Sequence, residues 1–134
     1  MSDSEQKLSV VLPEDGAFED AGLRAQFAYR DLGIGDATDG RYHAHVIKAR
    51  TADGPKIGLH RHGEIDFQLV YILKGWMRFW YEGRGETVAP AGTCILQPPG
   101  IQHDVLEWSD DLELLEVTSP RDFTTEALED VAAE

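Results

Sequence analysis

The sequence predicts an all-β domain, either a sandwich or a barrel of short strands. Between Leu8 and Leu115, runs rich in Val, Ile, Leu, Tyr, Phe and Trp are separated by turn residues such as Gly, Pro and Asp. This pattern is typical of antiparallel β-architectures, and helical periodicity is absent from the same stretch. The 134 residues, of which 42% are hydrophobic, are the size of one domain with one core.

Individual elements follow from the runs and the turns between them. The C-terminal residues 120–134 are predicted as a short helix or tail, because a threonine can cap the segment 126–133, in which Leu128 and Val131 share a helical face. Residues 1–7 are predicted as a loose N-terminal arm. The predicted strands are 9–12, 24–31, 42–49, 56–62, 68–73, 77–81, 86–88, 93–97, 103–108 and 112–117.

Charge and composition exclude several function classes. Twenty-five acidic and twelve basic residues give a formal charge of -13, which repels a nucleic-acid backbone. The start of the chain lacks the order of a signal peptide, and no apolar run approaches the roughly 18 residues of a membrane span. We therefore expect a cytoplasmic protein without nucleic-acid or membrane partners. Cys94 is the single cysteine, so neither an internal disulfide nor a cysteine-based zinc site can form.

Two histidines in a predicted strand form the first candidate site. His60 and His62 are two residues apart, so both imidazoles project from one face of the sheet. The residues around them form an ordered set. It reads Gly54, five residues, His60-Arg61-His62, five residues, Gln68, six residues, Gly75, and later Gly92, five residues, Pro98-Pro99-Gly100, two residues, His103.

This ordered set resembles the two signature motifs of the cupin superfamily, over roughly residues 42–118. The resemblance implies a cupin barrel, a double-stranded β-helix or jelly roll, spanning 1–134 as a single domain. It also implies that His60, His62 and His103 bind one metal. Gln68 stands where most cupins have a glutamate ligand, and its distance from His62 is longer than usual.

Three residues compete for the fourth ligand position. Gln68 can serve through its carbonyl oxygen, whereas Glu64 and Asp66 are rival carboxylates in the same loop. Gln68 opens an apolar run, which favours an inward position on a strand. Parity then places Val70 and Ile72 on the inward face.

Other polar residues have two interpretations each. His43 and His45 alternate along a strand and are structural, at an interface or in a pocket, with a role beside the metal ligands as the alternative. Parity from His103 places Glu107 inward, although a surface charge at the strand end is favoured. Arg78 could bind a substrate carboxylate, with surface placement as the favoured alternative.

The predicted ligand set limits metal and function. Three imidazoles and an amide oxygen suit Fe, Mn, Ni, Co, Cu or Zn better than Ca or Mg. Neutral ligands leave the +2 charge uncompensated, which favours an anionic, oxygen-rich organic substrate. The first hypothesis is a metal-dependent dioxygenase or isomerase/lyase; the alternatives are a non-catalytic cupin that binds or senses a small ligand with a structural metal, and a metal-free barrel. Exposed edge strands favour a homodimer.

Overall fold

A computed structural model of the protein describes residues 6–19, 26–54 and 56–128. Within these ranges it contains ten strands and one short helix. In chain order they are β1 (Phe27–Asp31), α1 (Ile34–Ala37), β2 (His43–Ala49), β3 (His60–Gly63), β4 (Phe67–Lys74), β5 (Trp76–Tyr81), β6 (Gly85–Pro90), β7 (Cys94–Leu96), β8 (His103–Trp108), β9 (Glu113–Ser119) and β10 (Thr124–Ala127).

The strands form two antiparallel sheets of five strands each. The first sheet has the order β1-β2-β9-β4-β7, and the second has the order β10-β3-β8-β5-β6. Most neighbours in a sheet are distant in sequence, as in the pairs β2-β9 and β3-β8. The predicted all-β jelly-roll class is confirmed. Among the described residues, no helix has the length and hydrophobicity needed to cross a membrane.

One hydrophobic core joins the inward faces of the two sheets. Ile72 on β4 has no exposed surface, and Leu112 is 1% exposed. Burying one side chain of this kind stabilises the fold by about 1.5–3 kcal/mol. The predicted alternation along β4 is confirmed, since Val70 and Ile72 are buried while Tyr71 and Leu73 are exposed. The other core members are Phe27, Val70, Met77, Phe79, Tyr81, Ala89, Trp108 and Leu114.

Gly75 forms the tight turn between β4 and β5, and its conformation explains why glycine occupies this motif position. Its φ of 74° lies in the left-handed region, which residues with a Cβ rarely adopt. A Cβ atom at Gly75 would also lie 3.1 Å from the Cα of Leu112 and within the contact radius of Ser109 Oγ. The chain therefore turns here against the backbone that leads into β9.

Both ends of the chain differ from the sequence prediction. Residues 9–12 form no strand. Leu8 and Val10 are 93% and 67% exposed, and strand propensity has an effect only where the side chains pack against neighbouring strands. The predicted C-terminal helix is wrong at its start, because residues 126–127 belong to β10, which pairs with the free edge of β3. The rest of that segment, 129–134, and residues 1–5 of the predicted arm lie outside the described residues.

A β-bulge reverses the inward orientation that parity from His103 gives Glu107 and confirms the favoured surface position. The register between β5 and β8 shifts between Arg78 and Phe79, so that Arg78 is opposite Glu107 while Phe79 is opposite Val105. The extra residue reverses the side-chain parity after Val105. Glu107 consequently lies on the outer surface, 56% exposed, with its carboxylate 3.2 Å from Arg78 Nη2. Arg78 also contacts Glu86 at 2.8 Å, and it too belongs to the surface.

Candidate metal centre

Three histidines from two neighbouring strands converge on the inward side of the second sheet. His60 and His62 share one face of β3, and His103 at the start of β8 is paired with His60. One ring nitrogen of each residue lies within 4.8 Å of one ring nitrogen of the other two. The ring centroids are 5.0 Å apart for His60 and His62 and 4.2 Å apart for His60 and His103.

A hydrogen bond to Nδ1 orients each of the three imidazoles. His60 Nδ1 lies 2.8 Å from the carbonyl oxygen of Gly58, and His103 Nδ1 lies 3.1 Å from that of Ile101. A carbonyl oxygen can only accept, so in both rings Nδ1 carries the proton and Nε2 keeps its lone pair. This tautomer is the one that metal-binding histidines adopt when a neighbouring group fixes the other nitrogen.

His62 obtains its Nδ1 partner from the C-terminal strand. Thr125 on β10 is opposite His62 on β3, and its Oγ1 lies 2.9 Å from His62 Nδ1. The ring of Phe123 packs edge-on against His62 at a centroid distance of 5.1 Å. Sequence reasoning missed both residues, although the β-branched pair Thr124-Thr125 is itself a strand signal.

Burial keeps His103 in the neutral form that a metal ligand requires. Only 3% of His103 is exposed, and burial together with the nearby His60 lowers its pKa to about 4. His103 is therefore deprotonated at neutral pH without any metal. Because a ligand histidine must be neutral, no proton has to leave this ring before a metal binds at neutral pH.

Gln68 lies in the cavity that the three histidines line, and a carboxylate determines the orientation of its amide. Only 4% of Gln68 is exposed, and its Nε2 donates a 2.7 Å hydrogen bond to Glu116 Oε2. The rival carboxylates Glu64 and Asp66 are exposed on the loop before β4. Of these three candidates, Gln68 is the one that faces the cavity.

Glu116 also connects the Gln68 amide to the second histidine pair. His45 Nε2 lies 2.6 Å from Glu116 Oε1, and His43 Nε2 lies 3.2 Å from His45 Nδ1. Burial by itself raises the pKa of Glu116, but the hydrogen bond and charge of His45, with Gln68 and His62, outweigh it and lower the pKa. Glu116 is thus ionised at neutral pH. His43 and His45 are polar residues of the cavity wall and lie outside the metal-site cluster.

The histidines and Gln68 line a cavity of about 690 Å³ between the sheets. Its wall is largely aliphatic and aromatic, for example Ile47, Val70 and Phe79, with the polar cluster on one side. Gln97 also contributes to the wall and accepts a 2.6 Å hydrogen bond from the buried Tyr81 hydroxyl. The volume is that of a site for a small organic molecule.

Converging neutral imidazoles are the donor set that a divalent transition metal requires. Two of the three Nε2 lone pairs are assigned by carbonyl hydrogen bonds, and the amide oxygen of Gln68 is the type of hard, neutral donor that completes such a set. The residues present therefore fit a divalent transition metal of the group Fe, Mn, Ni, Co, Cu or Zn.

Several solved structures of other proteins have the same fold as this chain. The polyketide cyclase RemF from Streptomyces resistomycificus superposes with a TM-score of 0.73 at 18% identity, over 91% of this chain and 86% of that chain. KdgF from Halomonas sp. superposes with a TM-score of 0.68 at 17% identity, over 85% of this chain and 96% of that chain. An RmlC-like cupin protein from Ralstonia eutropha superposes with a TM-score of 0.67 at 15% identity, over 97% of this chain and 78% of that chain.

Sequence comparison gives the family. No curated protein sequence matches the chain. The family described as AraC-like ligand binding domain matches residues 43–118, which is more than half of the chain and contains every histidine and Gln68. The match begins at β2 and ends in β9, so it includes both motifs. The chain therefore belongs to the AraC-like ligand-binding domain family and is a member of the cupin superfamily.

Proposed function

We propose that the protein is a small metal-dependent enzyme whose single divalent transition metal is bound by His60, His62, His103 and Gln68. The observation that carries the proposal is the convergence of three imidazole nitrogens within 4.8 Å on a cavity large enough for a substrate. Three inward histidines with a structural role alone would not need a cavity beside them. A bound metal would supply Lewis acidity for a substrate oxygen or for O2.

The substrate class follows from the charges and the wall of the cavity. The dication and the Glu116 carboxylate together carry a formal charge of about +1, so an anionic oxygen group is attracted to this side. Much of the remaining wall is apolar, with side chains such as Ile47 and Phe79, and it also includes the charged residues Glu19, Asp31, Arg121 and Asp122. We propose a small organic substrate with an oxygen-rich, anionic end, such as an enol, a diketone or a keto acid, and a body that packs on the apolar wall.

Two reaction types remain within the proposal. One is oxidative cleavage of an enol or diketone with O2, and the other is an isomerase or lyase reaction that needs no oxidant. Structural relatives include proteins named as a polyketide cyclase and as a predicted oxalate decarboxylase, the latter from Thermotoga maritima at 22% identity. These names support an enzymatic role for a protein of this fold, but they do not distinguish between the two reaction types.

Metal analysis of the purified protein tests the proposal first. We expect about one equivalent of a transition metal in the wild-type protein and a loss of it in His60→Ala. Asp66→Ala is the control, because Asp66 is an exposed carboxylate on the loop before β4 and lies outside the cluster, and it should retain the metal. Wild-type protein that binds no transition metal after reconstitution would contradict the proposed function.

Oxygen consumption then separates the two reaction types. Protein loaded with Fe(II) is mixed with a β-diketone and, separately, with a keto acid, while O2 and substrate are both measured. Loss of substrate together with O2 supports the oxygenase, and loss of substrate under argon supports the isomerase or lyase. Stoichiometric binding of these compounds without turnover favours a non-catalytic ligand-binding domain.

A non-catalytic ligand-binding domain is that second candidate, and the matching family description favours it. In this case the metal would be structural, and the cavity would sense or store a small molecule. A structural metal has its coordination positions filled by protein ligands. Exchange-labile water on the bound metal, measured by water proton relaxation of the Mn(II)-loaded protein, would contradict a closed structural site.

We also propose that the protein forms a homodimer through the outer face of the first sheet. Phe67, Tyr71 and Leu73 project from this face of β4 with 40%, 38% and 46% of their surface exposed. Leu96 on β7 is opposite Leu69 on β4, so it lies on the same face, and it is 60% exposed. Contiguous exposed apolar residues of this kind mark association surfaces, and a second copy offers the same apolar face to cover them.

A further inference from the structure

Glu116 lies between the proposed metal ligand Gln68 and the histidine pair of β2. In the first sheet, β9 runs between β2 and β4, and Glu116 is opposite His45 on one side and Val70 on the other. Each of its two carboxylate oxygens has its own partner, His45 Nε2 at 2.6 Å and Gln68 Nε2 at 2.7 Å. The carboxylate therefore bridges the two neighbouring strands.

The bridge determines which amide atom of Gln68 points away from Glu116. A carboxylate accepts hydrogen bonds, so the amide atom that it contacts at 2.7 Å must be the nitrogen. The carbonyl oxygen lies on the other branch of the same planar amide group. A rotated amide would bring two acceptor oxygens together, which the short distance to Glu116 makes unfavourable. The orientation of Gln68 is thus coupled to the presence of a carboxylate at position 116.

The other oxygen of Glu116 is held by an ordered pair of histidines. His45 donates from Nε2 to Glu116, and the Nδ1 of His45 lies 3.2 Å from His43 Nε2. The side chain of His45 is 17% exposed and that of Glu116 is 15% exposed, so water screens this contact little. The two rings pack edge-on at 4.6 Å. The histidine pair therefore supports the carboxylate oxygen that does not contact Gln68.

The same arrangement supplies a negative charge beside a ligand set that has none. The three imidazoles and the amide are neutral, whereas a carboxylate in the position of Gln68 would carry the charge itself. We propose that Glu116 is a positioning residue for the metal site. It holds the Gln68 carbonyl oxygen toward the three histidines, and it places the compensating negative charge next to the Gln68 amide, on the side away from the metal. The inference rests on the metal site proposed above.

A purely structural role makes a different prediction. If the bridge only joined β2, β9 and β4, its loss would lower the free energy of unfolding and leave a folded protein with the same metal environment. A positioning role predicts a changed metal spectrum and a weaker affinity in a protein that remains folded. Removing a partner that orients a metal ligand typically weakens metal binding about 10–100-fold.

Titration with Co(II) measures both quantities, because its d–d absorption bands report the ligand geometry. We expect Glu116→Gln to weaken Co(II) binding about 10–100-fold and to change the bands. Glu113→Gln, on the same strand but on the opposite face by parity, should leave affinity and spectrum unchanged. His60→Ala reports on the proposed site itself and should abolish the bands. Circular dichroism establishes that each variant is folded.

An exchange of the two side chains makes the test specific. In Gln68→Glu with Glu116→Gln, the carboxylate becomes the ligand and the amide stands behind it, with the same hydrogen bonds available. In Gln68→Glu alone, two carboxylates face each other at the 2.7 Å contact and repel. Glu116→Gln should therefore weaken Co(II) binding less when residue 68 is glutamate than when it is glutamine, because a carboxylate at position 68 presents an oxygen in either orientation. The size of the effect differs between the two backgrounds.

The outcomes separate this inference from the proposed function. If His60→Ala abolishes Co(II) binding while Glu116→Gln changes neither affinity nor spectrum, the metal site stands and the positioning role is wrong. The same holds if Glu116→Gln has an equal effect in both backgrounds, which would indicate a structural contribution. If wild-type protein and His60→Ala bind Co(II) equally poorly, the proposed function fails and the inference fails with it. Should Glu116→Gln alone not fold, Gln68→Glu and the exchange variant should still bind Co(II) with similar affinity, and a large difference between them would contradict the inference.

Discussion

His60 on β3 lies directly opposite His103 on β8, and their ring centroids are 4.2 Å apart. Residues opposite each other in an antiparallel pair project their side chains from the same face, with Cβ atoms about 4.5–5.5 Å apart. Strand pairing alone therefore brings two ligands of the proposed site together. The third, His62, follows two residues later on the same face, and its ring is fixed from the other neighbour of β3, strand β10.

Removal of the Thr125 hydroxyl should weaken metal binding without unfolding the protein. Thr125→Val keeps the branched shape but removes the partner of His62 Nδ1, which lies 2.9 Å away. We expect about tenfold weaker binding of Zn(II) in competition with a chromophoric chelator. Thr124→Val, the neighbouring exposed position on β10, is the control and should bind as the wild-type protein does. Equal affinities for all three proteins would contradict a role for β10 in the site.

The metal-free protein should lose stability as the pH falls from about 6.5 toward 4. The pKa of His103 is lowered from 6.5 to about 4, mainly by burial and also by His60. A lowered pKa means that the unfolded chain binds a proton first, so this contribution is complete above pH 6.5 and is lost as the pH falls. The shift corresponds to a loss of about 3 kcal/mol. Glu116, whose pKa is also lowered, adds a loss of the same sign at lower pH.

Urea unfolding in the presence of a chelator at pH 7.5, 6 and 4.5 measures this loss. His103→Gln removes the titrating ring and should flatten the dependence between pH 6.5 and 4.5. A wild-type protein with constant stability over this range would show that His103 is not protected from protonation as its burial implies.

Tyr81→Phe should destabilise the protein by about 1–3 kcal/mol, because it leaves a buried acceptor without its donor. The Tyr81 hydroxyl donates a 2.6 Å hydrogen bond to Gln97 Oε1, and only 4% and 3% of the two residues are exposed. Burial raises the pKa of Tyr81, so the hydroxyl stays protonated as a donor. Tyr42→Phe, with Tyr42 40% exposed, should change stability by less than about 0.5 kcal/mol. Chemical denaturation of both variants measures the difference.

Addition of the metal should raise the melting temperature by an amount that grows with the logarithm of the metal affinity. At a free metal concentration of 100 Kd, a site present only in the folded state stabilises it by about 2.7 kcal/mol. For a domain of this size that corresponds to an increase of about 10 °C. Calorimetry with and without Co(II) measures the shift, which His60→Ala should remove. A wild-type melting temperature that is independent of metal would mean that no metal binds the folded protein selectively.

A charge on the outer face of the first sheet should dissociate the proposed dimer. Tyr71→Lys places an ammonium group in the centre of the exposed apolar face formed with Leu96, where burial against a second copy is costly. Val88→Lys, at a 60% exposed position on β6 in the second sheet, is the matched control. Sedimentation at micromolar concentration should show wild-type protein and Val88→Lys as dimers and Tyr71→Lys as a monomer. A wild-type monomer would contradict the dimer.

The fold class and most strands could be predicted because alternation along one strand is a local property. Gln68, Val70 and Ile72 are inward in the structure as the period of two requires, while Tyr71 and Leu73 are outward. The convergence of His60, His62 and His103 could be predicted because motif spacing resembles that of a known superfamily. The same parity rule places Glu107 inward, and one bulge in β8 reverses this, so that the favoured surface interpretation is the one the structure confirms.

The amino-acid sequence by itself determined the strand pattern, the three histidines and the inward position of Gln68. Tertiary structure alone decided what orients them: Glu116 is 48 residues from Gln68, and Thr125 is 63 residues from His62. The segment around Thr125 has threonines that suit both a helix cap and a strand, and the free edge of β3 selects the strand by offering backbone hydrogen bonds. Such pairings depend on which strand edge still has unpaired backbone groups once the rest of the sheet has formed. A local sequence pattern does not contain this information.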